Sequence, residues 1–162
     1  MAQAKILVVD DEETIRLTVS AALTRRGFET TTAEDSKQAL GVLDQTQFDL
    51  AVLDLKLPGS MDGIGLLMEI RARSPETIVM MISAHATLDS AIAALRHGAF
   101  DYLLKPFTME QVVERVEQAL QMMPPRFLQP IVVNEDYENL PMIRTAENLA
   151  KKYNITRTKL SR

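Results

Sequence analysis

Short apolar runs and longer amphipathic stretches take turns along the chain. Residues 6–10, 49–54, 78–83 and 101–104 form four short strand candidates, and the first three are apolar on consecutive positions, as strands buried on both faces of a parallel sheet tend to be. Residues 29–32 give a weaker fifth. Between them, residues 13–26 carry Ile15, Val19 and Leu23 at four-residue spacing, and residues 36–43, 64–72, 88–97 and 109–121 likewise stack their apolar positions on one helix face. Gly27 and Gly98 stand just beyond the first and fourth of these stretches, where a left-handed residue commonly closes a helix. Thr108 and Gln111 have the spacing of a capping box opening the fifth. The order is βα repeated five times. With right-handed crossovers it predicts an α/β fold, a doubly wound (βα)5 parallel sheet with helices on both faces. Such sheets bind ligands beyond the carboxyl ends of their strands, at the topological switch point.

Composition supports a folded core. Of 162 residues, 46% are hydrophobic and 25% charged, close to ordinary globular values, so wholesale disorder and low-complexity architectures are excluded. The length suits one domain plus a short remainder. There is no cysteine, which removes disulfide frameworks, thiolate metal sites and cysteine nucleophiles. Uncharged stretches such as residues 77–88 fall well short of the ~18–20 residues that span a bilayer. The first residues lack the order of a secretory signal, so no membrane partner and a cytoplasmic location are expected. The net charge of −4 hides an asymmetry. Residues 1–123 carry 11 Lys and Arg against 18 Asp and Glu, whereas residues 124–162 carry 7 against 4. The sign changes at Met122-Met123-Pro124-Pro125, where two prolines also end a helix. The expected division is a domain at 1–123, a linker at 124–143 and a basic helical segment at 144–162.

Five polar groups fall at the carboxyl edge of the expected sheet. Strand one ends in Asp10-Asp11, strand three in Asp54 and strand four in Ser83, and Lys105-Pro106 follows strand five. The Asp10-Asp11 pair alone reads most simply as a solvated strand end; Asp54 and Lys105 change that reading. Carboxylates crowded together repel and lose solvation unless a cation sits among them. With oxygen ligands only, Mg2+ is the natural candidate, because it takes one or two carboxylates, keeps waters and shares phosphate oxygens. A lysine and a serine hydroxyl add donors for the same phosphate. No GxxxxGK[ST] loop or GxGxxG spacing is present, so a bound nucleotide is not the expected phosphate source. A carboxylate can itself accept the phosphoryl group, and Asp54 is the best candidate.

Four motifs resemble those of the receiver domain of two-component response regulators, in order and in spacing, over residues 4–121. They are Ile-Leu-Val-Val-Asp-Asp-Glu (6–12), Leu-Asp-Leu-Lys-Leu-Pro-Gly (53–59) with Asp62-Gly63, Ser83-Ala84-His85, and Gly-Ala-Phe-Asp-Tyr-Leu-Leu-Lys-Pro-Phe (98–107). The resemblance implies a flavodoxin-like sheet and an Asp54 that takes its phosphoryl group from a sensor histidine kinase. It further implies Mg2+ held by Asp11, Asp54 and the main-chain carbonyl of Lys56, with Asp10 helping through water. It gives Lys105 and Ser83 contacts to the phosphoryl group, makes Tyr102 a switch residue that swings inward, and makes a cis Lys105–Pro106 bond common. Residues 88–121 would form a phosphorylation-responsive homodimer face. Gly59-Ser60-Met61 is one residue longer than the usual loop, so the segment after the acceptor is expected to be reshaped. Ser83 stands where threonine is commoner and keeps the hydroxyl. Plainer roles stand beside these: Ser83 as a helix cap, Tyr102 as a static core aromatic, and His85 and His97 as surface residues, since they lack metal-ligand spacing.

Beyond residue 123, Pro124, Pro125, Pro130 and Pro141 suggest an extended connection. Leu149, Ala150, Tyr153, Ile155 and Leu160, with Asn154 between, resemble helix-turn-helix spacing, Ala150 allowing close crossing and Asn154 making the turn. Lys151, Lys152, Arg157 and Lys159 would then contact DNA phosphates. Arg162 falls only about two turns into the second helix at ~3.6 residues per turn, so the DNA-binding element is expected to be truncated, and a basic amphipathic helix lying on the receiver or a partner is the competing expectation. The sequence therefore predicts a response regulator with a transcriptional, DNA-binding output. The alternative is a receiver that docks a protein partner or relays phosphate to a histidine phosphotransfer protein. An aspartyl-phosphate phosphatase fits poorly, because Lys56 occupies the position where such an enzyme carries a second acid. The chain is expected to be a phosphoacceptor that assists its own phosphoryl transfer and dephosphorylation, not an enzyme.

Overall fold

A computed structural model describes residues 3–122. Five strands, β1 (Lys5–Val9), β2 (Glu29–Ala33), β3 (Leu50–Asp54), β4 (Ile78–Ser83) and β5 (Asp101–Leu104), alternate with five helices, α1 (Glu13–Arg25), α2 (Ser36–Leu43), α3 (Gly63–Arg73), α4 (Leu88–Arg96) and α5 (Met109–Met122). All strand pairs are parallel, in the order β2-β1-β3-β4-β5. The doubly wound (βα)5 sheet expected from the sequence is the fold. The expected linker at 124–143, the basic segment at 144–162 and the candidate DNA contacts Lys151, Lys152, Arg157 and Lys159 lie outside the described residues.

Alternation along each strand builds two cores. Leu7, Val9, Ala51, Leu53, Val79 and Met81 point to the face covered by α2, α3 and α4, where they meet Ala39, Leu66, Leu67, Ile70 and Ala94. Ile6, Val8, Leu50, Val52, Met80 and Ile82 point the other way, toward Val19 and Leu23 of α1 and Val112, Val116 and Ala119 of α5. Each such side chain contributes about 1.5–3 kcal/mol on full burial. The consecutive apolar runs thus reflect two faces that both need covering.

Helix ends are held by the expected local chemistry. Gly27 and Gly98 have φ of 93° and 91°, the left-handed conformation that closes α1 and α4. The amide of Gln111 donates to Thr108 Oγ1 at 3.1 Å, while the Gln111 side chain accepts from the Thr108 amide at 2.8 Å. That is the capping box read from the sequence. Among the described residues, no helix is long and apolar enough to cross a membrane.

Strand order places the chemistry. β1 and β3 are neighbours whose following helices lie on opposite faces, so their carboxyl ends flank a crevice. Register aligns Val9 with Leu53 and Asp54 with Ile82. Asp10 and Asp54 therefore emerge side by side. Ser83 pairs with Leu104, and the Lys105 amide donates to the Ser83 carbonyl at 2.8 Å, which carries Lys105 to the same edge.

Candidate functional site at the carboxyl edge

Asp10 is the fixed point of the site. Its side chain is fully buried. Oδ1 accepts the Glu12 amide at 2.9 Å, Oδ2 accepts Lys105 Nζ at 2.9 Å, and its main-chain carbonyl accepts Arg16 Nη1 at 2.9 Å. Arg16 is itself buried on α1 and reaches Glu34 at 3.4 Å, so the end of β1 is clamped to the helix that follows it. A buried charge needs such pairing, because desolvation otherwise costs several kcal/mol.

Asp54 closes β3 with a side chain 8% exposed. Its carboxyl is pushed up to about 6, first by burial and then by the charge of Asp10, against the pull of Lys105 and the Lys56 amide. The Lys105 ammonium lies between the acids, 2.9 Å from Asp10 Oδ2, 3.1 Å from Glu12 Oε1 and 3.5 Å from Asp54 Oδ2. Burial alone would lower it; the hydrogen bond and charge of Asp10, then Asp54 and Glu12, outweigh burial and hold it above its ordinary value. The site combines a strained carboxylate with a fully charged donor.

Ser83 is buried, and its Oγ accepts the His85 amide at 2.9 Å. It does not cap α4: Thr87 does so, in a capping box with Ser90. Tyr102 is buried with its hydroxyl 3.2 Å from Ser90 Oγ. The Lys105–Pro106 peptide is cis, as expected. His85 is exposed and His97 half-buried at the end of α4. Asp62 caps α3 by accepting the Gly65 amide at 2.9 Å. Gly63 then passes so close to β3 that a Cβ there would collide with the Asp54 carbonyl oxygen. The longer loop, residues 59–61, is tied down by Ser36, whose hydroxyl donates to the Met61 carbonyl at 2.9 Å.

Oxygens of Asp10, Glu12 and Asp54 all lie within 4.8 Å of one another. Three hard oxygen donors, with no sulfur or nitrogen ligand among them, fit a hard cation such as Mg2+ and not a soft one. Asp11, expected here, sits in the exposed turn after β1 and is not one of that group. Glu12 takes a place the sequence did not assign to it. Only its position in the β1–α1 turn could have marked it, and turn geometry decides which acid of the pair reaches Lys105. Asp101 was also unassigned; it is buried at the start of β5 and accepts Arg115 Nη1 at 2.7 Å, tying β5 to α5.

Comparison with known proteins agrees with this geometry. The response regulator receiver domain family matches residues 6–117. Regulatory protein AtoC of Escherichia coli is 39% identical over 118 residues, 73% of this chain and 25% of its own length. DNA-binding transcriptional regulator NtrC of Salmonella typhimurium is 39% identical over 120 residues, 74% of this chain and 25% of its own. The chain thus spans about a quarter of the length of these curated relatives. Among solved structures, the receiver domain of NtrX from Brucella abortus superposes with a TM-score of 0.69 at 42% identity, covering 73% of this chain and 99% of that one. A CheY-like receiver domain protein from Methanospirillum hungatei gives a TM-score of 0.72 at 28% identity, over 74% and 95% of the two chains.

Proposed function

The chain belongs to the response regulator receiver domain family, and from that premise we propose that its carboxyl-edge site is a phosphorylation switch with Asp54 as the acceptor. An ionised Asp54 oxygen attacks the phosphorus of a phosphohistidine on a sensor histidine kinase. The P–O bond forms as the P–N bond breaks, and its electron pair stays with the imidazole nitrogen. Because the carboxyl sits at about 6, most of it is ionised at neutral pH and able to act as the nucleophile. Lys105 holds a proton throughout and donates it in hydrogen bonds to the phosphoryl oxygens. Ser83 turns its hydroxyl from the His85 amide toward the same oxygens, and Tyr102 reads that movement. Asp10, Asp11, Asp54 and the main-chain carbonyl of Lys56 are the proposed holders of Mg2+, with Glu12 in reach. When bound, Mg2+ offsets the charge that builds on the transferring group.

One observation carries this reading: a buried ammonium lies between two strand-end carboxylates at the topological switch point, 2.9 Å from Asp10 and 3.5 Å from Asp54. A small acyl phosphate should label the protein in the presence of Mg2+, and intact-mass measurement should find the label lost in Asp54→Asn and with excess chelator. Undiminished labelling of Asp54→Asn overturns the assignment.

The proposed output is transcriptional, and a cytoplasmic location belongs with it. Residues 1–123 form the receiver, 124–143 a linker, and 144–162 a basic helical segment whose Lys151, Lys152, Arg157 and Lys159 contact DNA phosphates. The excess of positive charge after residue 123 supports this. Generic duplex DNA should be retarded at low salt and released as salt rises, with retardation abolished by Arg157→Ala and Lys159→Ala together. If duplex is not retarded even at low salt, the alternative of docking a protein partner or relaying phosphate takes precedence. A homodimer through residues 88–121 completes the proposal.

A further inference from the structure

An ammonium group has three N–H donors and no more. In this site the Lys105 ammonium has three carboxylate partners, Asp10 at 2.9 Å, Glu12 at 3.1 Å and Asp54 at 3.5 Å. A phosphoryl group on Asp54 inherits the donor that Asp54 now holds, and it can take a second Lys105 donor only if another partner gives way. Asp10 cannot move out, since it is fully buried and pinned through Oδ1, Oδ2 and its carbonyl. Asp54 is the residue being modified. Glu12 is the partner with somewhere to go: its side chain is 58% exposed, and its hydrogen bond to Lys105 is the contact here made by a flexible, solvated group.

We propose that Glu12 is a positioning residue that occupies Lys105 in the unmodified protein and is displaced by the incoming phosphoryl group, so that it sets how readily the site is filled. This inference rests on the phosphoacceptor reading above. Asp10 and Asp54 together would leave one Lys105 donor uncommitted; Glu12 removes that vacancy. Its displacement into water is cheap, because an exposed ion pair is worth little. The residue therefore adjusts the equilibrium without blocking it. The turn that presents Glu12 is the same one whose amide fixes Asp10, so the two acids arrive on Lys105 together.

The test uses the full chain with Mg2+ and beryllofluoride, a phosphoryl mimic, with binding read by thermal shift in wild type, Glu12→Ala and Glu12→Gln, each also in a Lys105→Ala background. Mg2+ affinity is measured separately without the mimic. Glu12→Ala is expected to tighten beryllofluoride binding about three- to fivefold. Glu12→Gln, which keeps an acceptor for Lys105 but loses the charge, is expected to fall between, and neither change should matter once Lys105 is gone. Equal gains for Ala and Gln that persist without Lys105 would mean simple charge repulsion and overturn the inference. So would weakened binding that tracks a loss of Mg2+ affinity, which would make Glu12 a metal ligand. If wild type fails to bind beryllofluoride with Mg2+, the phosphoacceptor reading itself is at fault; if wild type binds and the Glu12 variants match it, only this inference fails.

Discussion

A carboxylate held at about 6 inside a folded protein costs stability wherever it is ionised. The folded state binds that proton more tightly than the unfolded chain, whose Asp54 titrates near the ordinary 3.8. Stability from this group is therefore intact below about 4, declines as pH rises from about 4 to about 6, and stays reduced above that. Asp54→Asn should remove the penalty. In metal-free buffer at pH 8 urea unfolding should find the variant more stable by roughly 1–3 kcal/mol, and the gain should vanish below pH 4. A variant less stable than wild type at pH 8 would contradict the electrostatic account of the site. Mg2+ should close the same gap from the other side, stabilising wild type more than Asp54→Asn; for wild type the gain approaches ~2.7 kcal/mol at a hundredfold excess over the dissociation constant. At this scale the sequence was legible where a side chain stands at the end of a strand. Asp10, Asp54, Ser83 and Lys105 follow from strand ends and parallel order. The contact of Glu12 with Lys105 does not, because a turn's backbone angles decide where that side chain goes and two adjacent acids look alike in sequence.

Two glycines at the level of elements show how local space decides tolerance. Gly63 starts α3 against the end of β3, and an added Cβ would strike the main chain of Asp54 and Leu55. Gly41 lies in α2 with nothing within 4 Å of where its Cβ would be. Gly63→Ala should destabilise by about 1–3 kcal/mol or more, the cost of overpacking against backbone that cannot yield. Gly41→Ala should stabilise by about 0.5–1 kcal/mol through helix propensity. Thermal unfolding of both checks the packing of α3 on the acceptor strand; equal effects would contradict it. The elements themselves were readable, since both ends of all ten elements fall within one residue of the sequence periodicity. β2 gave the weakest signal because it is an edge strand whose Glu29–Ala33 run is buried only at its end. The residue inserted at 59–61 was visible as a length difference. Its anchoring by Ser36, 25 positions away in sequence, was not, because nothing local marks a hydroxyl that will meet a distant carbonyl.

At the scale of the molecule, strand order converts four scattered motifs into one site. Two cores on opposite faces of the sheet hold β1 and β3 side by side, and the crevice between their ends collects two acids, a lysine and a buried serine. Tyr102 lies on the α4 side of the sheet and touches the capping box that begins α4, so a change at Ser83 has a short route to the 88–121 face. Beryllofluoride with Mg2+ should therefore shift the sedimentation of the full chain from monomer toward dimer, and Tyr102→Ala should weaken that shift at least severalfold; an unchanged shift would remove Tyr102 from the switch. In the proposed switch Asp54 carries the phosphoryl group. The most direct measurement is to expose the wild-type chain to an acyl phosphate and Mg2+, trap the aspartyl phosphate by borohydride reduction, and map the altered residue by peptide mass spectrometry. Reduction confined to Asp54 is the expected result; a label on Asp10, Asp11, Glu12 or a histidine, with Asp54 unaltered, would contradict it.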